Sequence, residues 1–249
     1  MSPVSAPAPP TTATRILRVA GQDVPYALRR STRARRASIH IHPRRGVEVV
    51  LPDSLPDTDA AALLTEKRAW LERHATEILR AGRRVTLAQG ATLPYRGRWL
   101  RLRIAPTAHA TARPEITPSH ESICVALPHP TDELALRRAL TDWYRARARV
   151  QLLDAVSRLH DPADERVRRL SVRDQSTCWG SCSSKGGLSF NWRLVMAPPP
   201  VLDAVVAHEL VHLNQLDHSP AFWSRLDARF PRHRACRRWL DANAYRLTL

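Results

Sequence analysis

The sequence has few cysteines, and their spacing excludes the common metal sites built from cysteine. The four are one C-x3-C pair, Cys178 and Cys182, and two distant single residues, Cys124 and Cys236. This pattern does not make a zinc ribbon, which needs two closely spaced pairs. We expect reduced thiols, with Cys178 and Cys182 packing as small side chains rather than binding a metal.

Long apolar runs and glycine-rich loops are also missing. No stretch resembles a signal peptide or a transmembrane helix, which indicates a cytoplasmic protein with no membrane partner. The eight glycines form no phosphate-cradling loop. Residues 1–14 are mostly Pro, Ala, Ser and Thr and are predicted to form a disordered tail.

Lysine is nearly absent although the chain is strongly basic. Lys67 and Lys185 are the only lysines among 39 Lys and Arg residues, and the formal net charge is +16. Such a charge attracts phosphates and acidic surfaces, but the arginines are spread along the chain rather than gathered in one arm. Binding of nucleic acid or a nucleotide therefore stays open without being favoured.

Alternation of apolar and polar residues predicts a β-rich N-terminal region over residues 15–128. Short runs between Ile16 and Leu51 predict a small antiparallel sheet, and one helix is predicted from Asp57 to Arg80. Further strands are predicted at residues 84–87, 99–104 and 122–127. A long helix after Pro130 then opens a second domain, residues 129–249, so the predicted fold class is α+β.

Residues 167–195 predict a strand, a glycine-bearing turn and a second strand. An antiparallel hairpin at this place can offer an edge strand to an extended peptide through main-chain hydrogen bonds. Trp179 and Trp192 fit either a core or such a binding surface.

The stretch from His208 to His212, which reads H-E-x-x-H, carries the strongest chemical signal. It follows three prolines and an apolar run typical of a buried helix. Residues four apart on a helix face the same way, so His208 and His212 can bind one metal ion. Buried polar groups cost about 2–7 kcal/mol each when they lack a partner, and a metal ion satisfies these directly.

A third ligand is predicted at His218, six residues after His212. The Asp, Ser and Pro residues around it break the helix and let the chain fold back. Three protein ligands with an open fourth position are typical of catalytic zinc. The sequence therefore predicts a Zn²⁺ ion held by His208, His212 and His218.

The sequence excludes two known classes of protein that carry the H-E-x-x-H motif, the metzincins and the gluzincins. Metzincins have a glycine where Gln215 stands and a methionine downstream, whereas the only methionines here are Met1 and Met196. Gluzincins use a distant glutamate as third ligand, and Glu209 is the last glutamate of the chain.

Glu209 is the predicted general base, which takes a proton from the attacking water and passes it to the leaving group. Several side chains are candidates for the donor that stabilises the oxyanion: Asn191, Arg193, Lys185 and Tyr245. Asp203 and Asp217 are candidates to accept a hydrogen bond from the second ring nitrogen of a ligand.

The run from Trp179 to Trp223 resembles the YgjP-like metallopeptidase family. The likeness lies in Trp-Gly-Ser-Cys-Ser at 179–183, Asn-Trp-Arg-Leu at 191–194, the H-E-x-x-H, and His218-Ser219-x-x-Phe222-Trp223. The order of elements from about Arg15 is similar too. The family is related to the SprT and WLM proteases, which implies a zincin-like catalytic domain with the three histidines as ligands and Glu209 as base. Cys178 departs from the pattern, which more usually has arginine there.

Three functions stay open. The first is a zinc-dependent peptidase acting on a peptide or protein substrate, which the H-E-x-x-H favours. The second is a metal-dependent nucleotide phosphohydrolase or pyrophosphatase, which the arginine content permits. The third is a protease that works on proteins held on DNA, as implied by the resemblance to SprT and WLM proteases; its DNA binding would depend steeply on salt.

Overall fold

The structure is a computed structural model that describes residues 14–42, 46–80, 85–109, 112–162, 164, 167–175 and 178–249. Apart from Thr14, the predicted tail lies outside these residues. The chain divides into two compact units, residues 1–83 and 84–249.

The first unit is a four-stranded sheet with three short helices. The strands are β1 (Thr14–Val19), β2 (Gln22–Ser31), β3 (Ser38–His42) and β4 (Gly46–Pro52), in the order β1-β2-β4-β3. The pairing is mainly antiparallel, as predicted, but β4 runs parallel to β2 because the β3–β4 hairpin places β4 between β2 and β3. The helices are α1 (Thr58–Glu66), α2 (Arg68–Arg73) and α3 (Ala75–Arg80).

The helix predicted from Asp57 to Arg80 is thus interrupted twice. Lys67 and His74 leave helical geometry, with ψ values of 10° and 15°, so three short segments replace one long helix. Each segment can then turn an apolar residue to the sheet, and Ala60, Leu64, Leu71 and Ile78 are buried against Val47 and its neighbours.

The second unit begins with another four-stranded sheet and a long helix. The strands are β5 (Thr92–Tyr95), β6 (Arg98–Pro106), β7 (Glu115–Pro118) and β8 (Ser122–Leu127), in the order β5-β6-β8-β7. Helix α4 (Glu133–Leu159) follows, and the Asp132 carboxylate caps it by accepting from the Ala135 amide at 2.9 Å. The predicted strand at 84–87 is wrong, since residues 85–87 lie in no strand.

The division between the units differs from the predicted boundary at residues 128 and 129. Strands β5–β8 share one core with α4, in which Leu102, Ile123, Leu140 and Tyr144 are fully buried. The Tyr144 hydroxyl also donates to the Pro94 carbonyl at 2.8 Å. Strands β5–β8 therefore fold with the helices that follow them in the sequence.

The last third of the chain contains a three-stranded sheet and three helices. The strands are β9 (Arg169–Arg173), β10 (Gly180–Cys182) and β11 (Gly187–Asn191), in the order β10-β11-β9. A 3₁₀ turn, Trp192–Met196, leads to α5 (Pro199–Val211), α6 (Pro220–Arg229) and α7 (His233–Asn243).

The hairpin predicted over residues 167–195 is correct only in its second half. β10 and β11 form the antiparallel hairpin, while β9 pairs with β11 in parallel. β11 ends at Asn191 because that side chain accepts from the Arg193 amide at 3.1 Å and starts the 3₁₀ turn. The α+β fold class is confirmed. Within the described ranges no helix combines the length and apolar character that crossing a membrane requires.

Candidate metal centre

Helix α5 carries two of the three predicted ligands. Pro199 and Pro200 occupy its first turn, where a missing N–H costs no helical hydrogen bond. Its apolar residues are buried on almost every side, so its last turn is fixed in the core. His208 lies in that turn and His212 is the C-cap residue, which places both imidazoles on one face.

The three predicted ligand side chains converge on one point. The His208 Nε2 atom lies 3.2 Å from His212 Nε2 and 3.1 Å from His218 Nε2. A tetrahedral zinc ion with Zn–N bonds of about 2.0–2.1 Å would hold its nitrogens roughly 3.3 Å apart. Both distances from His208 fit a single ion of this size, and the three ligand atoms all lie within 4.8 Å of one another.

Hydrogen bonding orients one of the three rings. His212 Nδ1 lies 2.9 Å from the Gln215 carbonyl oxygen, an acceptor, so Nδ1 must carry the proton and donate. The lone pair of that ring is then on Nε2 and points at the other histidines. A backbone carbonyl behind a ligand imidazole is a common way to fix its tautomer at a metal site.

Burial keeps two of the three histidines in the neutral state that binds metals. The pKa of His208 is lowered to about 4 by burial and then by the neighbouring His212 and His218. Burial likewise lowers the pKa of His212. Near neutral pH the two rings are therefore neutral, and each can offer one nitrogen lone pair to a cation.

The loop between α5 and α6 brings His218 back to the helix. The Asp217 carboxylate accepts from the Ser219 amide at 3.2 Å and from the Gln215 side chain, and these hydrogen bonds lower the pKa of Asp217. Asp217 therefore stabilises the loop rather than accepting from a predicted ligand ring. Asp203 does not take that role either, because it pairs with Arg158 at 2.9 Å. The acceptor behind a ligand is the Gln215 carbonyl, which sequence reasoning missed.

The contact of Phe222 in α6 with the histidine rings is the second feature that the sequence did not predict. Its ring is fully buried and packs against all three histidines, with centroid distances of 4.9 Å to His208, 4.6 Å to His212 and 4.8 Å to His218. Trp223 covers His218 from another side at 5.7 Å. The sequence signal was the motif His218-Ser219-x-x-Phe222-Trp223, in which Phe222 stands four residues after His218 at the start of a helix.

Glu209 lies beside the histidines and is 5% exposed. Among the described residues no hydrogen-bond partner is assigned to its carboxylate, and burial raises its pKa to about 7. A carboxylate with a pKa near the working pH can both take and release a proton.

The buried carboxyl predicts a pH dependence of stability in the metal-free protein. The pKa of Glu209 is about 7 when folded, against an ordinary value of 4.5. The folded state therefore binds this proton more tightly, and stability is lost as the pH rises from about 4.5 to about 7. At about 1.4 kcal/mol per pKa unit, the loss is on the order of 3 kcal/mol.

Glu209→Gln removes this titration. The stability of the metal-free variant relative to that of the metal-free wild type should therefore increase as the pH rises. Urea unfolding of both metal-free proteins near pH 5 and near pH 8 measures the difference in the free energy of unfolding. If the difference in free energy of unfolding between the two proteins were the same at both pH values, burial would not raise the pKa of Glu209 as described.

Neither Cys178 nor Cys182 belongs to the histidine cluster, and only Cys182 packs against the core as predicted. Burial, and next the charge of Glu209, raise the pKa of the Cys182 thiol to about 11, which keeps it protonated. Cys178 is exposed. Within the described part of the chain, the one cluster of potential metal ligands contains only the three histidines.

A cleft of about 600 Å³ opens at the histidines. Its walls come from the start of β10 and from one face each of α5 and α7, and the residues with most bearing on chemistry are Trp179, His208, Glu209, Trp223, His233 and Arg237. His233 and Arg237 are each held by a carboxylate, Asp227 at 2.8 Å and Asp241 at 2.9 Å.

None of the four predicted oxyanion donors lines this cleft. The side-chain amide of Asn191 donates to the Gln175 carbonyl at 2.8 Å, and the buried Arg193 guanidinium pairs with Asp174. Lys185 lies in the turn between β10 and β11, and the Tyr245 hydroxyl accepts from Arg246. Asn191 and Arg193 are thus engaged in holding the strand and the 3₁₀ turn.

The chain matches the family model of the YgjP-like, metallopeptidase domain over residues 35–243. Comparisons with curated proteins and with solved structures gave no significant match. The family match covers most of the 249 residues, including part of the first compact unit, most of the second and the whole histidine cluster. The chain therefore belongs to the YgjP-like metallopeptidase family.

Proposed function

We propose that this protein is a zinc-dependent peptidase in which His208, His212 and His218 hold the ion and Glu209 is the general base. One observation carries the proposal. His208 Nε2 lies 3.1–3.2 Å from the Nε2 atoms of His212 and His218, beside the buried Glu209 carboxylate of the same helix α5, in a chain of a metallopeptidase family.

The donor set supports zinc in particular. Three neutral imidazoles suit a borderline-soft ion, whereas calcium and magnesium take oxygen ligands. Three protein ligands also leave a fourth position open, as catalytic sites require. A bound zinc ion would supply the Lewis acidity that makes water a nucleophile near neutral pH and polarises the substrate carbonyl.

Glu209 would move the proton. Its carboxylate accepts a proton from the attacking water and delivers it to the leaving amine. The low exposure of the side chain keeps bulk water from competing for that proton. His212, held by the Gln215 carbonyl, and Phe222, packed under the rings, keep the ligands in place during the reaction.

An extended polypeptide is the substrate that the surroundings favour. β10 is an edge strand of its sheet within the described residues, and it lies against α5 next to Glu209. An edge strand binds an extended chain through main-chain hydrogen bonds, which suits unfolded segments of varied sequence. The Arg237 guanidinium in the cleft already has a carboxylate partner, Asp241 at 2.9 Å, which makes a nucleoside triphosphate a poorer fit.

The proposal is tested with an unfolded fluorogenic polypeptide and the purified protein. Cleavage should require the metal, disappear on chelation and return with about one equivalent of zinc. Nucleoside triphosphates serve as the competing substrate. Release of phosphate or pyrophosphate without peptide cleavage would overturn the proposal.

A further inference from the structure

Gly180, the first residue of β10, lies directly against the side chain of Glu209. A Cβ atom at Gly180 would stand 2.7 Å from Glu209 Cγ, 2.7 Å from Oε1 and 3.0 Å from Cδ. Contacts under 3.0 Å are far inside van der Waals distance, so a methyl group at residue 180 requires the Glu209 side chain to shift. Glycine inside a strand often marks such a close approach.

Neither backbone can easily yield. Gly180 is paired with Phe190, which is fully buried, and the neighbouring Trp179 carbonyl accepts from the Asn191 amide at 2.8 Å. On the other side, α5 is buried on almost every face. The side chain of Glu209 is therefore the part that must move if residue 180 gains a side chain.

We propose that Gly180 is a positioning residue, whose missing side chain forms the slot that sets the place of the Glu209 carboxylate beside the three histidines. This inference rests on the proposed function for its catalytic meaning, but the steric contact is independent of it. The backbone of β10 contacts the Glu209 carboxylate from one side. The proposed base is therefore placed directly by the same strand whose edge is proposed to bind the substrate.

The test uses Gly180→Ala, with Gly187→Ala as its matched control. Gly187 lies in the partner strand of the same hairpin, and a Cβ there would meet only the Ser183 hydroxyl, at 3.0 Å. In the zinc-loaded protein, Gly180→Ala should lower kcat at least tenfold while KM and the zinc content stay at wild-type values, because a small misplacement of a catalytic group is costly. Gly187→Ala should keep wild-type kcat.

A double-mutant cycle with Glu209→Ala separates the contact from the activity. Gly180→Ala should lower the urea midpoint when residue 209 is glutamate and change it little when residue 209 is alanine, because the obstructing atoms are then gone. If Gly180→Ala alone fails to fold, recovery of folding in the double variant gives the same answer.

Equal destabilisation in both backgrounds, or wild-type kcat in Gly180→Ala, would overturn the inference. Failure of the proposed function gives a different pattern. A wild-type protein that cleaves no peptide, but whose cycle still shows the coupling, upholds the contact between Gly180 and Glu209 and rejects peptide hydrolysis.

Discussion

Glu209→Gln is expected to lose about 10²–10⁴-fold in kcat for peptide hydrolysis, the range that a general base contributes, and to bind zinc as the wild type does. Glutamine has the shape of glutamate, so it fits the same slot beside Gly180. It cannot accept the proton of the attacking water, however. Steady-state cleavage of an unfolded polypeptide and metal analysis of the same preparation check both halves of the expectation.

A matched control comes from an exposed glutamate. Glu121 lies in a surface turn between β7 and β8, so Glu121→Gln should change neither kcat nor zinc content. If Glu209→Gln kept its activity, another group would have to be the base. If it lost zinc together with activity, Glu209 would be acting through the ion site rather than on the proton.

His218→Ala is expected to weaken zinc binding by well over ~100-fold, because it removes a direct ligand, and loss of an outer partner alone costs about 10–100-fold. His218 is the ligand that the loop supplies, so its loss should leave α5 folded. Competition with a chromophoric chelator measures the affinity, and circular dichroism confirms that the helices persist.

His129→Ala is the matched control for this variant, since His129 is an exposed histidine in the turn before α4. It should bind zinc with wild-type affinity. Unchanged affinity in His218→Ala would mean that the third ligand is another residue, despite the 3.1 Å approach of His218 to His208.

Local periodicity explains why part of the site could be predicted. The helix that carries His208 and Glu209 follows from prolines and an apolar run, and a spacing of four residues places two imidazoles together on any helix. The break at His218 was signalled by Asp217, Ser219 and Pro220, which are turn and helix-start residues. The structure brings the three predicted ligands together.

Other parts of the site depend on contacts between distant segments, which no local pattern contains. Gly180 meets Glu209 across the packing of β10 on α5, and Phe222 reaches all three rings only after α6 has folded back. The prediction that Asn191 or Arg193 is the oxyanion donor did not account for such contacts either. Asn191 and Arg193 have the right chemistry, but they are held by Gln175 and Asp174.

The fold shows the same limit. The α+β class could be predicted from the strand and helix patterns along the sequence. Those patterns do not indicate which strands pair with one another. β9 joins β11 in parallel across a connecting segment, and β4 inserts between β2 and β3. The first sheet of the second unit packs on α4, so the division falls at residues 83 and 84.

X-ray absorption at the zinc edge of the purified, zinc-loaded protein tests the central claim most directly. We predict three imidazole nitrogens and one further light atom at about 2.0–2.1 Å, with no sulfur. A sulfur at about 2.3 Å would assign Cys178 or Cys182 to the ion and contradict the site of three histidines described above.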